Sequence, residues 1–270
     1  MGYPQNKCAL IIGGCAPFLS TITMILPLEL VMHICDTVAE SDDKETLENC
    51  ALACSQLAGH CRRHLFATVK LDIYDIDDLV LRHVERLARV VEENPKIGPC
   101  IKSIAIHFAS YDEGPCLPAL LAKCTGIETL SLSTYDIFSE GDTIWPGLIP
   151  KATRASLEVI ISSDTLNKLS ISGFQLPILF LSGCHCSLSH LTICGERSPI
   201  FPTERGTPGP AINLRCLDAR PVTISSLTTA KRQDGGPVFD FSNLRELATR
   251  FEELEDHAQH ISDLLHCKRR

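Results

Sequence analysis

The sequence predicts an α/β protein in which a short N-terminal set of three helices is followed by an irregular repeat solenoid with parallel strands. Three observations predict it. Apolar residues recur at helical spacing between residues 27 and 65. Beyond residue 97 an apolar residue is repeatedly followed by others at +3 and +5. Pieces with helical periodicity then separate several of these short strands. With 270 residues, 44% hydrophobic and 21% charged, the chain can bury a sizeable core and belongs with globular rather than disordered proteins.

The first element follows from PLELVMHICDTV, where Leu30, Ile34 and Val38 share one face with Val31 and Cys35 beside them, and Pro27 suits the first turn of a helix. Asp42 stands three residues before Glu45, a spacing that resembles a capping box, and Leu47, Cys50, Ala51 and Cys54 continue a second helix. Ser55 is placed to cap a third, carrying Leu57, Cys61, His64 and Leu65; ATVKLDI after it alternates as a short strand. The segment DIDDLVLRHVERLARVVEENP puts Leu79, Val80, Val84, Leu87, Val90 and Val91 on one stripe, with Asp75, Asp77 and Asp78 favourably placed near the start and Asn94-Pro95 stopping it.

From there the pattern is Ile101/Ile104/Ile106, Ile127/Leu130/Leu132, Leu166/Leu169/Ile171 and Leu188/Leu191/Ile193, with partial copies at Leu214/Leu217 and Leu244/Leu247. The copies start 22 to 39 residues apart, which brackets the leucine-rich-repeat unit with insertions. LPALLAKC, ATRASLEVII and the final FEELEDHAQHISDLLH supply helical pieces, so the chain cycles strand, turn, helix, strand; this alternation also suits a compact doubly wound fold, but the LxxLxI spacing favours a curved solenoid with its parallel strands on the concave side. Residues 195–210 and 231–237, rich in Pro and Gly, are expected as exposed loops that either carry recognition or merely vary in length.

The string Leu26-Pro27-Leu28-Glu29-Leu30, Ile34, then Leu52, Ser55, Leu57 and the ending LFATVKL at 65–71 resembles the F-box, specifically the F-box-like domains that precede degenerate leucine-rich repeats in large fungal families. The resemblance implies a non-enzymatic substrate receptor of an SCF-type, cullin-RING ubiquitin ligase. Its F-box would dock Leu26, Pro27, Leu28, Glu29, Leu30, Ile34, Leu52 and Leu57 on the SKP adaptor, while the repeats hold an unknown protein target. The expected organisation is an extension over 1–25, either disordered or packed, an F-box-like domain over 26–71, a linking amphipathic helix over 72–96, and the repeat domain over 97–270. Two departures stand against the family: AESDDKETLENC is more charged than the usual link between the first helices, and the repeats lack a regular Asn or Cys position. The alternatives are a leucine-rich-repeat interaction scaffold without ligase coupling, and an enzyme with an unrecognised metal or Cys site.

Composition narrows the classes further. The 33 acidic residues outnumber 25 basic ones, and Lys and Arg form no stripe, which argues against nucleic acid as partner. Fourteen cysteines fall singly among apolar positions and read as reduced thiols, and no Asn-x-Ser/Thr acceptor occurs, in keeping with a cytoplasmic or nuclear protein. CALIIGGCAPFL near the N-terminus resembles a signal-peptide core, but it is too short to span a bilayer and lacks a cleavage site, so neither secretion nor a membrane partner is expected; Met24, just ahead of the recognisable motif, is an alternative start. No GxSxG, HExxH, Walker or GxGxxG pattern is present, and no cofactor is expected. Cys184-His185-Cys186 with His190 and Cys194 is the sharpest metal alternative, yet it straddles a repeat strand, and no metal site is assigned.

Overall fold

In a computed structural model of the chain, the first apolar pattern folds into the three expected helices: α1 (Leu28–Glu40), α2 (Lys44–Ala53) and α3 (Ser55–Leu65). The structure describes residues 7–9, 25–41, 43–53, 55–73, 78–108, 116–134, 149–173, 181, 183–194, 210–232 and 234–249. Val31, Cys35, Leu47, Leu57 and Cys61 form the core of this helical unit, with Met32, Val38, Cys50, Ala51 and Leu65 packed against it. Each fully buried aliphatic side chain contributes about 1.5–3 kcal/mol.

The helix ends have local causes. Ser41 closes α1 by donating its hydroxyl to the Val38 carbonyl at 2.7 Å. The cap of α2 is Asp43 rather than the expected Asp42, which lies outside the described residues: Asp43 accepts the Thr46 N–H at 3.0 Å and the Thr46 hydroxyl at 2.6 Å. Those bonds hold the Asp43 carboxyl below its ordinary range. Pro27 sits just before α1 as its N-cap, with φ −55° and ψ 140°, instead of in its first turn. Its extended backbone ends strand β2 (Ile25–Pro27), which pairs antiparallel with β1 (Lys7–Ala9). The expected boundary at residue 26 is therefore crossed by a strand pair.

The chain divides into two compact units between Thr68 and Val69. The second begins with β3 (Thr68–Ile73) and α4 (Asp78–Glu93) and continues through a 3-10 turn (Gly98–Cys100), β4 (Ser103–Phe108), α5 (Cys116–Lys123), β5 (Thr129–Thr134), α6 (Lys151–Ile161), β6 (Lys168–Ser172) and β7 (His190–Cys194). It ends, among the described residues, with β8 (Ile212–Asn213), β9 (Cys216–Ala219), α7 (Pro221–Thr229), β10 (Phe239–Asp240) and β11 (Glu246–Ala248). Thus α4, expected as a linker over 72–96, belongs to the second unit, where it packs on α5, and α5 on α6. The described part of the fold is a mixed α/β arrangement of seven helices with a seven-stranded, mostly parallel sheet in the order β3-β4-β5-β6-β7-β9-β11.

Register in this sheet is exact from copy to copy. Ile104, Leu130, Leu169, Leu191, Leu217 and Leu247 form one row of Cα partners; Ile106, Leu132, Ile171, Ile193 and Ala219 form the next. All but the edge residue Leu247 are buried. A +2 spacing puts both rows on the covered face, while the residue three before the first row, such as Ile101, Ile127 or Leu166, is buried below the strand. The carbonyls of Lys102, Glu128, Asn167, Ser189 and Arg215 each accept two N–H groups from the start of the next strand. At Lys102 these come from Glu128 at 2.7 Å and Thr129 at 3.0 Å. The entries of six neighbouring strands, β4, β5, β6, β7, β9 and β11, are thereby set at one height.

Three features escaped the sequence reading. Helix α7 is built from PVTISSLTT, whose β-branched and hydroxyl residues disfavour helix; burial of Thr223, Ile224 and Leu227 overrides that preference. Strands β8 and β10 pair in parallel, burying Ile212 and Phe239. The expected loop at 231–237 folds back on itself through the Lys231 to Pro237 bridge, with Gly235 at φ +80° and Arg232 paired to Asp234 at 2.9 Å. The expected loop at 195–210 and the final helix FEELEDHAQHISDLLH lie almost wholly outside the described residues. None of the described helices is long and apolar enough to cross a membrane.

Candidate functional site

Helix α1 carries two apolar stripes. Val31 and Cys35 turn into the core, while Leu30 and Ile34, also four residues apart, lie about 100° round the helix and stay 45% and 44% exposed. On α2, Leu52 is 85% exposed. Pro27 and Glu29 are exposed as well, and Leu28 is partly buried against the core. The side chain of Leu26 lies outside the described residues, although its backbone pairs with Cys8. Leu57 is the correction: at 1% exposure it is a core residue of the helical unit and presents nothing to a partner, because its position on α3 faces Val31 and Cys35 rather than solvent.

The same unit holds a polar cluster that the sequence reading missed. His60 and His64, one turn apart on α3, both direct Nε2 at Oδ1 of Asp36 on α1, at 2.7 and 2.8 Å. The rings meet edge to face with centroids 5.1 Å apart. Hydrogen bonding from His60, with a further share from His64, holds the Asp36 carboxyl below its ordinary range. The one readable signal was the His-x-x-x-His spacing; that Asp36, 24 positions earlier, completes the cluster is a fact of helix packing. Just beneath, the Cys35 and Cys61 sulfurs lie 3.8 Å apart, and burial pushes the Cys35 thiol up to about 11, so it is an inert core thiol at neutral pH.

The metal alternative read from the sequence does not assemble. Cys184 is buried, with its thiol pushed up to about 12 by desolvation, Cys186 is exposed, and His190 turns its Nδ1 to the Ser189 hydroxyl at 2.8 Å. Among the described residues only Asp36, His60 and His64 bring three potential ligand atoms together, all within 4.8 Å of one another.

In the second unit the sheet's other face is lined in register mostly by polar and charged residues. Ser103, Thr129, Lys168, His190, Cys216 and Glu246 make one row; Ala105, Ser131, Ser170, Thr192, Asp218 and Ala248 the next; His107, Ser133, Ser172 and Cys194 a third. His107 Nδ1 and Ser133 Oγ bond across strands at 2.7 Å, and burial lowers the imidazole's proton affinity. Beside the strand entries, Ser187, Ser189, Asn213, Arg215, Asn243 and Arg245 line a polar cavity. A mostly apolar hollow opens near α5 and α6, bounded by Leu121, Ile127, Val159 and Ile160. Cys186 also lines the polar cavity, and its Sγ lies 3.8 Å from the ring nitrogens of the adjacent His185.

Comparison of the chain with protein-family models, with curated proteins and with solved structures finds no match.

Proposed function

We propose that this chain is a substrate receptor of an SCF-type ubiquitin ligase, acting in the cytoplasm or nucleus. Its helical unit would be an F-box-like domain that docks on the SKP adaptor, and its second unit an irregular leucine-rich-repeat solenoid that holds a protein target for ubiquitin transfer by the partner enzymes. The observation that carries the reading is the exposure of Leu30, Ile34 and Leu52 on a three-helix unit whose core is already closed by other residues. Exposed leucines on so small a unit gain by burial in a partner's pocket. The repeated strand register and the repeated two-fold acceptance at each entry carbonyl support the solenoid reading. The in-register polar face offers hydroxyl, imidazole and carboxylate groups for a protein surface.

The docking set is narrower than the eight residues of the motif. Pro27, Leu30, Ile34 and Leu52 contact the adaptor, with Glu29 at the first turn; Leu57 serves only the unit's own core. The test is co-expression with the host's SKP adaptor and size-exclusion chromatography of the full chain and of a Leu30→Ala, Ile34→Ala, Leu52→Ala variant. All three substitutions fall on exposed positions, so the fold is retained, and loss of hot-spot leucines weakens the complex more than tenfold. A native, folded chain that elutes without adaptor overturns the ligase role and leaves a plain interaction scaffold.

A further inference from the structure

We propose that Asp36, His60 and His64 form a binding site for a divalent first-row transition cation of the zinc class, a site independent of the adaptor reading. Zinc, cobalt and nickel ions favour imidazole nitrogen together with a carboxylate, and two imidazoles plus one carboxylate on one side leave positions for water. The fold supplies this set. One turn of α3 places His60 and His64 on the same face, and the packing of α1 on α3 brings Asp36 opposite them.

The spacing is close to what such an ion requires. Metal–ligand bonds of about 2.0–2.2 Å set neighbouring ligand atoms roughly 3.0–3.4 Å apart. Here the two imidazole nitrogens lie 2.7 and 2.8 Å from the Asp36 oxygen, so each of these two pairs needs to open by only a few tenths of an ångström, and all three ligand atoms lie within 4.8 Å of one another. Exposure is graded in the useful sense: the His60 side chain is 14% exposed and held by packing, whereas His64 at 30% and Asp36 at 44% leave an entry path and room for water ligands.

His60 Nδ1 is buried without a hydrogen-bond partner, so the ring's polar contact is the one that Nε2 makes into the cluster. On binding, both rings would give an Nε2 lone pair to the ion in place of the two hydrogen bonds to Asp36.

The test uses the full-length chain, reduced and loaded with Co²⁺, with uptake measured by equilibrium dialysis and the ligand set read from the visible spectrum. Variants are Asp36→Asn, which keeps the side chain's shape, and His64→Gln, each checked for fold by circular dichroism. The expected result is saturable uptake of about one ion per chain, with ligand-field bands but no thiolate-to-cobalt charge transfer, displaced by Zn²⁺. Affinity falls at least tenfold in both folded variants. Absence of saturable uptake reduces the cluster to a hydrogen-bonded triad and overturns the proposal. Uptake unchanged in the variants, or a thiolate charge-transfer band, places the metal elsewhere and overturns it equally.

Discussion

Leu130→Ala tests whether the second unit is held by its apolar rows. Leu130 is 0% exposed and lies in register between Ile104 and Leu169, each 1% exposed. Truncating a buried leucine costs 2.7–5 kcal/mol, the larger values where the surroundings cannot collapse. At this position the backbone is pinned on both sides by parallel hydrogen bonding, so relaxation is small and the expected loss is about 3–4 kcal/mol. In a unit of this size that corresponds to a fall in Tm of roughly 6–16 °C. The control is its neighbour Ser131, which faces the polar side: Ser131→Ala should stay within about 0.5 kcal/mol of the native chain. Urea unfolding followed by hydrogen–deuterium exchange of peptides from β4 to β6 assigns the transition to this sheet, and an unchanged m-value shows that the loss is of stability rather than of compactness. If the two substitutions cost the same, the division of the sheet into a covered and an open face is wrong.

Two further outcomes are expected. Gly173→Ala should destabilise the second unit by about 1–3 kcal/mol, because Gly173 has φ +79° and an added Cβ would lie 2.6 Å from the Thr134 carbonyl oxygen; an urea midpoint equal to the native one refutes this. Acidification should lower stability in two windows. Burial depresses the folded-state affinity of His107, so the unfolded chain takes up that proton first as pH falls below 6.5, while hydrogen-bonded Asp36 contributes stability above 3.8 that is lost as pH drops through its lower folded value. Urea midpoints between about pH 8 and 5 should decline, less steeply in His107→Gln; a flat profile contradicts the first window.

The residues proposed to face the adaptor were readable one by one as a string, but their roles were not equal. A helix of period 3.6 can be drawn with either of two apolar stripes inward, and α1 has both Leu30/Ile34 and Val31/Cys35. Only the docking of α2 and α3 decides which pair is core, and it also takes Leu57 inward and leaves Leu52 out. The Asp36 cluster was illegible for a related reason: a carboxylate and two imidazoles far apart in sequence meet only where two helices cross, although the one-turn histidine spacing was visible throughout.

What the sequence by itself determined is the set of strands from β4 to β7 and their inward residues, since a period of two with buried isoleucine and leucine admits one face and a one-residue slip would expose every one of them. It determined α4, α5 and α6 as well, whose apolar stripes are unambiguous. The tertiary structure alone decided that β3 and α4 join the second unit, that β8 pairs with β10, and that PVTISSLTT is a helix. In each of these the local preference is weak or points the other way, and the apolar area buried against neighbours distant in sequence outweighs it.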